Sequence, residues 1–354
     1  MVRRKPQGFD KRLQHSIDLL KKSEKLALMY DSEDGFFLAF SAGKDSQALY
    51  HVAQMAGVKF KAHINWTSVD PPQVIRFKRK HYPDVVEHAP KKSIFQLAVE
   101  RKILPSMRIR WCCADLKESA GAGKVTLIGI RKQESARRAR RKEVEVSNKQ
   151  FSGTLDEFAE WQQQTIKEKE EKLIRKMKRE GKKVNEDYFS VNQQDQVRCI
   201  NGKDSILISP IFEWSEADVW YFLDEVAKVP HCELYDQGYH RIGCILCPMS
   251  NYRQKIREIQ DFPHVKDNWI KAIKSIRSGG GGITRRLYLV EHQSGLEIRP
   301  DRQQETQALE LPPPYEPLEQ KSQHRDMGGW IQNPDKHYWA GFRIAPLQVA
   351  RQRG

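Results

Sequence analysis

The residues that could do chemistry fall into three short stretches. The first, Ser41-Ala42-Gly43-Lys44-Asp45-Ser46, gathers two hydroxyls, a glycine, an ammonium and a carboxylate. Such a loop ahead of a helix suits phosphate, because the first N–H groups of a helix lack partners and sit at the positive end of its dipole. Gly43 lets the backbone come close, Ser41 and Ser46 add donors, and Lys44 adds charge. A Walker A loop is excluded: it needs glycine where Leu38 stands and serine or threonine where Asp45 stands. The second stretch is Gly129-Ile130-Arg131-Lys132-Gln133-Glu134-Ser135-Ala136-Arg137-Arg138. Its Arg131 and Arg137 can grip phosphate or sulfate oxygens in bidentate fashion. The third is a set of thiols, with Cys112 and Cys113 adjacent and Cys244 and Cys247 in a CxxC. Six cysteines in 354 residues make no disulfide scaffold, and paired thiols of this kind point to metal or redox chemistry.

These stretches need elements to hold them. Phe36–Phe40 is an apolar run of strand length, the loop follows, and Gln47–Met55 carries a helical pattern closed by Gly57. Val58–Ile64 then reads as a second strand, which makes a βαβ unit and implies a parallel sheet covered by helices. Pro71-Pro72 marks a helix start, 84–86 a short strand and 93–99 a helix, while 125–130 and 206–211 are further strands. Ser215, three residues before Asp218, starts another helix with a capping-box pattern. The expected fold is α/β, a doubly wound, mainly parallel sheet. In such a sheet ligands bind beyond the carboxyl ends of the strands, where the loop at 41–46 and the arginines would meet.

The remaining chain is organised around that core. Residues 11–29 form an amphipathic helix, so 1–34 is set apart as an N-terminal helix preceding a domain at 35–277. A charged helical insertion covers about 153–185, either projecting to bind a partner or simply solvated, and a cysteine-bearing cap covers about 230–277. His240 and Arg241 either line the mouth of the site or form an ordinary surface pair. Beyond Ser278 a tetraglycine and Gln- and Pro-rich stretches read as a linker and a loosely ordered tail, 278–354. With 39% hydrophobic and 9% aromatic residues the chain can build a core, which excludes wholesale disorder. No apolar run approaches the roughly 20 residues of a membrane span. The basic start lacks a signal core, so a cytoplasmic location is expected. Lysine and arginine number 61 against 46 acids, a net charge of 61 − 46 = +15, which fits a polyanion or is merely a basic soluble surface.

The loop at 41–46 resembles the PP-loop, Ser-Gly-Gly-Lys-Asp-Ser, of the ATP pyrophosphatase superfamily, with Ala42 replacing its first glycine; a chance match in a βα turn is the alternative. Together with Gly-x-Arg-x-x-Glu-Ser-x-x-Arg at 129–138, the motif at Pro210, Trp214, Asp218-Val219-Trp220, and Leu234-Tyr235 through Cys247-Pro248, the chain over about 35–275 is similar to the phosphoadenosine phosphosulfate (PAPS) reductase family. The resemblance implies an adenine nucleotide alpha hydrolase-like fold and an adenine nucleotide ligand, ATP with Mg²⁺ or an adenylylated nucleotide. It implies nucleotide binding by Ser41, Ala42, Gly43, Lys44, Asp45, Ser46, Gly129 and Arg131. Lys44, Asp45, Arg131 and Arg137 are the implied catalytic set, with Asp45 placing metal or water. The four thiols Cys112, Cys113, Cys244 and Cys247 match the pattern by which adenylylsulfate reductases hold a [4Fe–4S] cluster, with structural zinc or plain reduced thiols as alternatives. Cys232 is a substitute ligand or a sulfur-carrying nucleophile, and Cys199 an ordinary buried thiol. Family reductases attack sulfur with a cysteine in a C-terminal tail, and no cysteine follows Cys247 in this sequence. The expectation is therefore sulfur transfer of the DNA-phosphorothioation kind, onto nucleic acid, with a cysteine desulfurase as sulfur donor. The alternatives are an adenylylsulfate or PAPS reductase served by thioredoxin, and a nucleotide- or nucleic-acid-binding adaptor without turnover.

Overall fold

Phe36–Phe40 is apolar at every position and buried at all but one, as a strand with a helix layer on each face must be. This strand, β1, lies inside a sheet whose described strands are β2 (Phe60–Asn65), β3 (Val86–His88), β4 (Val125–Leu127), β5 (Val144–Val146), β6 (Phe151–Gly153) and β7 (Ile206–Ile208). The computed structural model describes residues 3–117, 121–181, 199–200, 204–278, 290–292 and 295–297. Among them the sheet order is β3-β2-β1-β4-β7-β5-β6. The pairs β3–β2, β2–β1, β1–β4 and β4–β7 are all parallel, so the expected α/β fold with a mainly parallel sheet is what the chain adopts.

Parallel pairs need crossovers, and helices supply them. Helix α2 (Lys44–Ala56) joins β1 to β2, and α3 (Pro72–His81) joins β2 to β3. The chain then runs through α4 (Ile94–Arg101) and α5 (Trp111–Leu116) and returns to the other side of β1 as β4. The order of travel reverses between β1 and β4, and that reversal opens a crevice at their carboxyl ends.

The β4–β7 crossover holds two features that differ in legibility. Its β5–β6 hairpin adds two antiparallel strands to the sheet edge, pairing Val144↔Ile208 and Val146↔Ile206. Strands of three residues are too short to leave a periodic signal, and only the tertiary pairing makes them strands. The short α6 (Ala136–Ala139) precedes this hairpin, and α7 (Leu155–Arg179) follows it, capped by Thr154, whose side chain accepts from the Glu157 N–H. Phe158 alone of its residues is fully covered, packed against Phe151 and Trp161 at ring separations of 5.5 and 5.7 Å. The helix is thus anchored at its N-terminal end, and the rest of it faces solvent or is partly covered, while residues 182–185 of the expected insertion lie outside the described residues.

Helix α1 (Phe9–Tyr30) is tied to the segment after β7 by buried polar contacts. Ser16 Oγ donates to the Pro210 carbonyl at 2.6 Å and accepts from Trp214 Nε1 at 3.0 Å. Arg12 donates twice to Asp218, at 3.0 and 2.7 Å, and the Asp218 side chain has no exposure at all. Asp218 also accepts from the Ser215 N–H at the start of α8 (Glu216–Tyr221). Trp214 and Asp218, read in the sequence as part of a family pattern, are therefore packing residues. Gly35, entering β1, has φ +68°, and a side-chain carbon there would lie 2.2 Å from the Lys59 carbonyl oxygen, so only glycine fits. Beyond α8 lie α9 (Tyr252–Asp261) and α10 (Pro263–Ser278). Apart from a hairpin of β8 (Val290–His292) and β9 (Gly295–Glu297), the expected linker and tail after 278 lie outside the described residues. No described helix is long and apolar enough to cross a membrane.

Candidate active site

The loop at 41–43 leaves the carboxyl end of β1, and α2 starts at Lys44 with no capping side chain of its own. Ala42 takes φ +56°, the left-handed conformation that a glycine would take freely and an alanine adopts against a penalty of about 1–2 kcal/mol. Ser46 closes the loop: its Oγ donates to the Gly43 carbonyl at 2.9 Å and accepts the Ser41 N–H at 3.1 Å. Lys44 and Ser46 are buried.

Gly129 and Arg131 reach this loop from β4. A side-chain carbon on Gly129 would sit 3.1 Å from the backbone carbon and oxygen of Asp45, so a larger residue would push the segment after β4 away from the start of α2 by a few tenths of an ångström. Two residues on, Arg131 is buried and donates from Nε to Asp45 Oδ1 at 2.6 Å. Its own N–H goes to Glu134 at 2.9 Å. Asp45 faces Lys44 Nζ as well, at 3.3 Å, and Glu216 lies 3.6 Å from the same ammonium.

The arginine run sorts differently from expectation. Arg137 is exposed, whereas Arg138 is half-buried, pairs with Glu134, and lies within electrostatic reach of Arg241, Arg141, Asp45 and Arg131. Burial and the crowding of Arg241 and Arg141 push the Arg138 guanidinium down to about 10. Position 138 was legible after all, since it is the closing arginine of the 129–138 pattern. Arg241, exposed like His240, joins this group from a segment about a hundred residues away, a juxtaposition that only the fold makes.

The thiols come together from equally distant parts of the chain. Cys112 and Cys113 lie on the short α5, hydrogen-bonded to each other, and both Cys244 and Cys247 lie within electrostatic reach of the pair. The CxxC is held over the end of β2: the Ile245 N–H donates to the Val69 carbonyl at 2.8 Å, and Cys244 Sγ meets Thr67 Oγ1 at 3.4 Å. From the other side, buried Glu258 accepts the Leu246 N–H at 2.7 Å, and buried Lys255 reaches the Pro248 carbonyl at 3.2 Å. The bond from Cys112, with Arg110 at 3.1 Å, holds the Cys113 thiol down to about 5, and the same bond and burial push Cys112 up. Burial raises Cys247. Four sulfur donors gathered beyond the carboxyl end of β2 match in chemistry what a [4Fe–4S] cluster takes. Among the described residues no three His, Cys, Asp or Glu side chains are arranged to hold one metal ion. Cys232 stands apart, fully buried, with its thiol raised by that burial, and Cys199 is buried against the Tyr30 hydroxyl at 3.1 Å.

Sequence reasoning passed over Tyr235 as a contact residue. Its hydroxyl accepts the Lys44 N–H at 2.8 Å, and Lys44 Nζ lies 6.0 Å from its ring centre. Tyr235 was visible only as one letter of a motif, because no pattern in the chain relates position 235 to position 44.

A family model for the phosphoadenosine phosphosulfate reductase domain matches residues 35–250, more than half of the chain. The chain belongs to this family. The loop, the 129–138 arginines and all four clustered cysteines lie inside the matched span of the PAPS reductase domain. An uncharacterised protein of Methanocaldococcus jannaschii is 32% identical over 96 residues, 26% of this chain and 20% of that protein. An adenosine 5'-phosphosulfate reductase of Neisseria meningitidis serogroup A is 49% identical over 39 residues, 11% of this chain and 16% of the reductase. The chain thus spans a fifth or less of the length of these two relatives. The solved PAPS reductase of Candida auris, a phosphate complex, aligns with 69% of this chain and 98% of its own at 15% identity, with a TM-score of 0.35.

Proposed function

We propose that this PAPS reductase-family chain is an ATP-using sulfur transferase acting on nucleic acid. The observation that carries the reading is that the loop at 41–46, with the buried Arg131, leaves the carboxyl end of β1, while the CxxC, with the other two thiols in electrostatic reach, is seated beyond the carboxyl end of the adjacent parallel β2. Backbone N–H groups of the loop bind the β and γ phosphates of ATP, and Lys44 and Arg131 neutralise them. Asp45, released from Arg131 by the phosphates, is placed to hold Mg²⁺ or water. An oxygen of the acceptor attacks the α phosphorus, pyrophosphate leaves, and the acceptor is adenylylated. AMP then departs with that oxygen, and a sulfide-level sulfur takes its place with no net redox change. Arg137, Arg138 and Arg241 supply the positive rim for a phosphate backbone. Cys112, Cys113, Cys244 and Cys247 would hold a [4Fe–4S] cluster, which when bound supplies a site where sulfur can be carried.

Adenylylsulfate reduction is the second reading, favoured by the identity with the Neisseria reductase. It needs an accessible thiol nucleophile, and Cys232 is fully buried. The test is anaerobic purification, an absorbance spectrum, and pyrophosphate release from ATP with and without nucleic acid. A broad iron–sulfur band lost in Cys112→Ser and Cys247→Ser, with nucleic-acid-stimulated pyrophosphate, is the expected result. Sulfite formed from adenylylsulfate would transfer the assignment to the reductase, and a colourless protein with one zinc would replace the cluster.

A further inference from the structure

Every charged and hydroxyl-bearing side chain named at the loop is turned onto another protein group. Arg131 is held by Asp45, Lys44 Nζ lies against Asp45 and Glu216, and Ser46 is turned onto Gly43 and Ser41. Among the backbone donors, the Lys44 N–H is the first of α2 and lies at the positive end of its dipole, where an anion binds best. It is taken by a side chain from outside the βαβ unit, the Tyr235 hydroxyl at 2.8 Å. That oxygen would be only 3.5 Å from a side-chain carbon built on Gly43, so it stands directly over the glycine of the loop. The same ring lies 6.0 Å from the Lys44 ammonium, within reach of a cation–π contact. Tyr235 therefore covers both ends of Lys44.

We infer that Tyr235 occupies the position of a phosphate oxygen and that a nucleotide must displace it to bind. The inference rests on the reading of the loop as the nucleotide site. A phosphate oxygen is the better partner for a helix-terminal N–H, since a charged acceptor makes a bond roughly twice as strong as a neutral hydroxyl does. The tyrosine therefore yields to the ligand and lowers its apparent affinity. Displacement also carries a message. Tyr235 belongs to a tight turn, its N–H bonded to the Cys232 carbonyl at 3.0 Å and its carbonyl to the Gly238 N–H at 3.0 Å. Arg241 and the CxxC follow on the same segment, so expelling Tyr235 shifts the run that leads to Cys244. Trp220, edge-on to Tyr235 at 5.0 Å, is a built-in reporter of the move.

The experiment compares ATP binding by calorimetry in the full chain and in Tyr235→Phe, which keeps the ring and removes the oxygen alone. Loss of a competing hydrogen bond predicts about 2- to 13-fold tighter binding in Y235F, from a net bond of about 0.5–1.5 kcal/mol. ATP should also change tryptophan emission in the parent chain, and this change should be lost in Trp220→Phe. Weaker binding in Y235F would make the tyrosine a ligand contact and overturn the inference, as would unchanged affinity. If the parent chain binds neither ATP nor pyrophosphate, the nucleotide reading itself falls and takes this one with it. Equal melting temperatures of the parent and Y235F would show that any affinity change is local to the loop.

Discussion

Replacing Asp45 with asparagine should destabilise the protein and at the same time make its loop a better anion site. The carboxylate accepts from Arg131 Nε at 2.6 Å and faces Lys44 Nζ at 3.3 Å. The Arg131 side chain is 5% exposed and that of Asp45 23%, so the pair is only partly screened by solvent. Leaving a buried charge without its partner costs about 3–5 kcal/mol when burial is complete. With a partly exposed site and an amide oxygen that still accepts, the expected loss is about 2 kcal/mol. In a domain of this size that lowers the melting temperature by about 4–8 °C. Pyrophosphate should then do more for the variant than for the parent. In the parent it must displace a carboxylate, whereas in Asp45→Asn the guanidinium and ammonium have lost that negative partner, and stabilisation follows RT ln(1 + [L]/Kd). The assay is thermal unfolding of both proteins across a pyrophosphate series, at ionic strength matched with chloride to separate screening from binding. A loss under about 1 °C would refute the burial argument. Equal pyrophosphate shifts in the two proteins would show that Asp45 does not compete with phosphate for Arg131 and Lys44.

Three further perturbations probe the frame that holds the loop. Arg12→Ala strips the bidentate partner from the fully buried Asp218 and should cost about 3 kcal/mol in denaturant unfolding. Burial works to raise the Asp218 carboxyl, but the Arg12 and Ser215 bonds override it and the net shift is downward. Its stabilisation is therefore present above the unfolded value near pH 4 and lost as pH falls through the folded one, so R12A should begin acid unfolding at a higher pH. Gly35→Ala forces a carbon to 2.2 Å from the Lys59 carbonyl oxygen in a left-handed conformation; we expect a loss of soluble protein, and a melting temperature within 2 °C of the parent would contradict the geometry. Glu87, held down to about 2 by Arg79, Trp66 and Lys78, should contribute about 1 kcal/mol at neutral pH that Glu87→Gln loses. That difference should fade between about pH 4 and pH 2, read as converging denaturation midpoints.

What the sequence by itself determined is local. The apolar run 36–40 can only be a buried strand, the Pro72 start and the Ser93 and Ser215 caps appear where residue type demands them, and the loop at 41–46 precedes a helix as its composition requires. The cysteines and arginines were recognisable by type and spacing within each stretch. Their meeting was not. Cys113 comes within electrostatic reach of Cys247, Arg138 within that of Arg241, and Lys44 meets Tyr235, across large separations in the chain. Such contacts depend on which strand ends lie side by side, and that is decided by the reversal between β1 and β4 and by the seating of the CxxC on the β2 loop. Exposure was equally out of reach of the sequence. Arg137 and Arg138 are the same residue type one step apart, and only the turn of a short helix at 136–139 decides which of them the site receives.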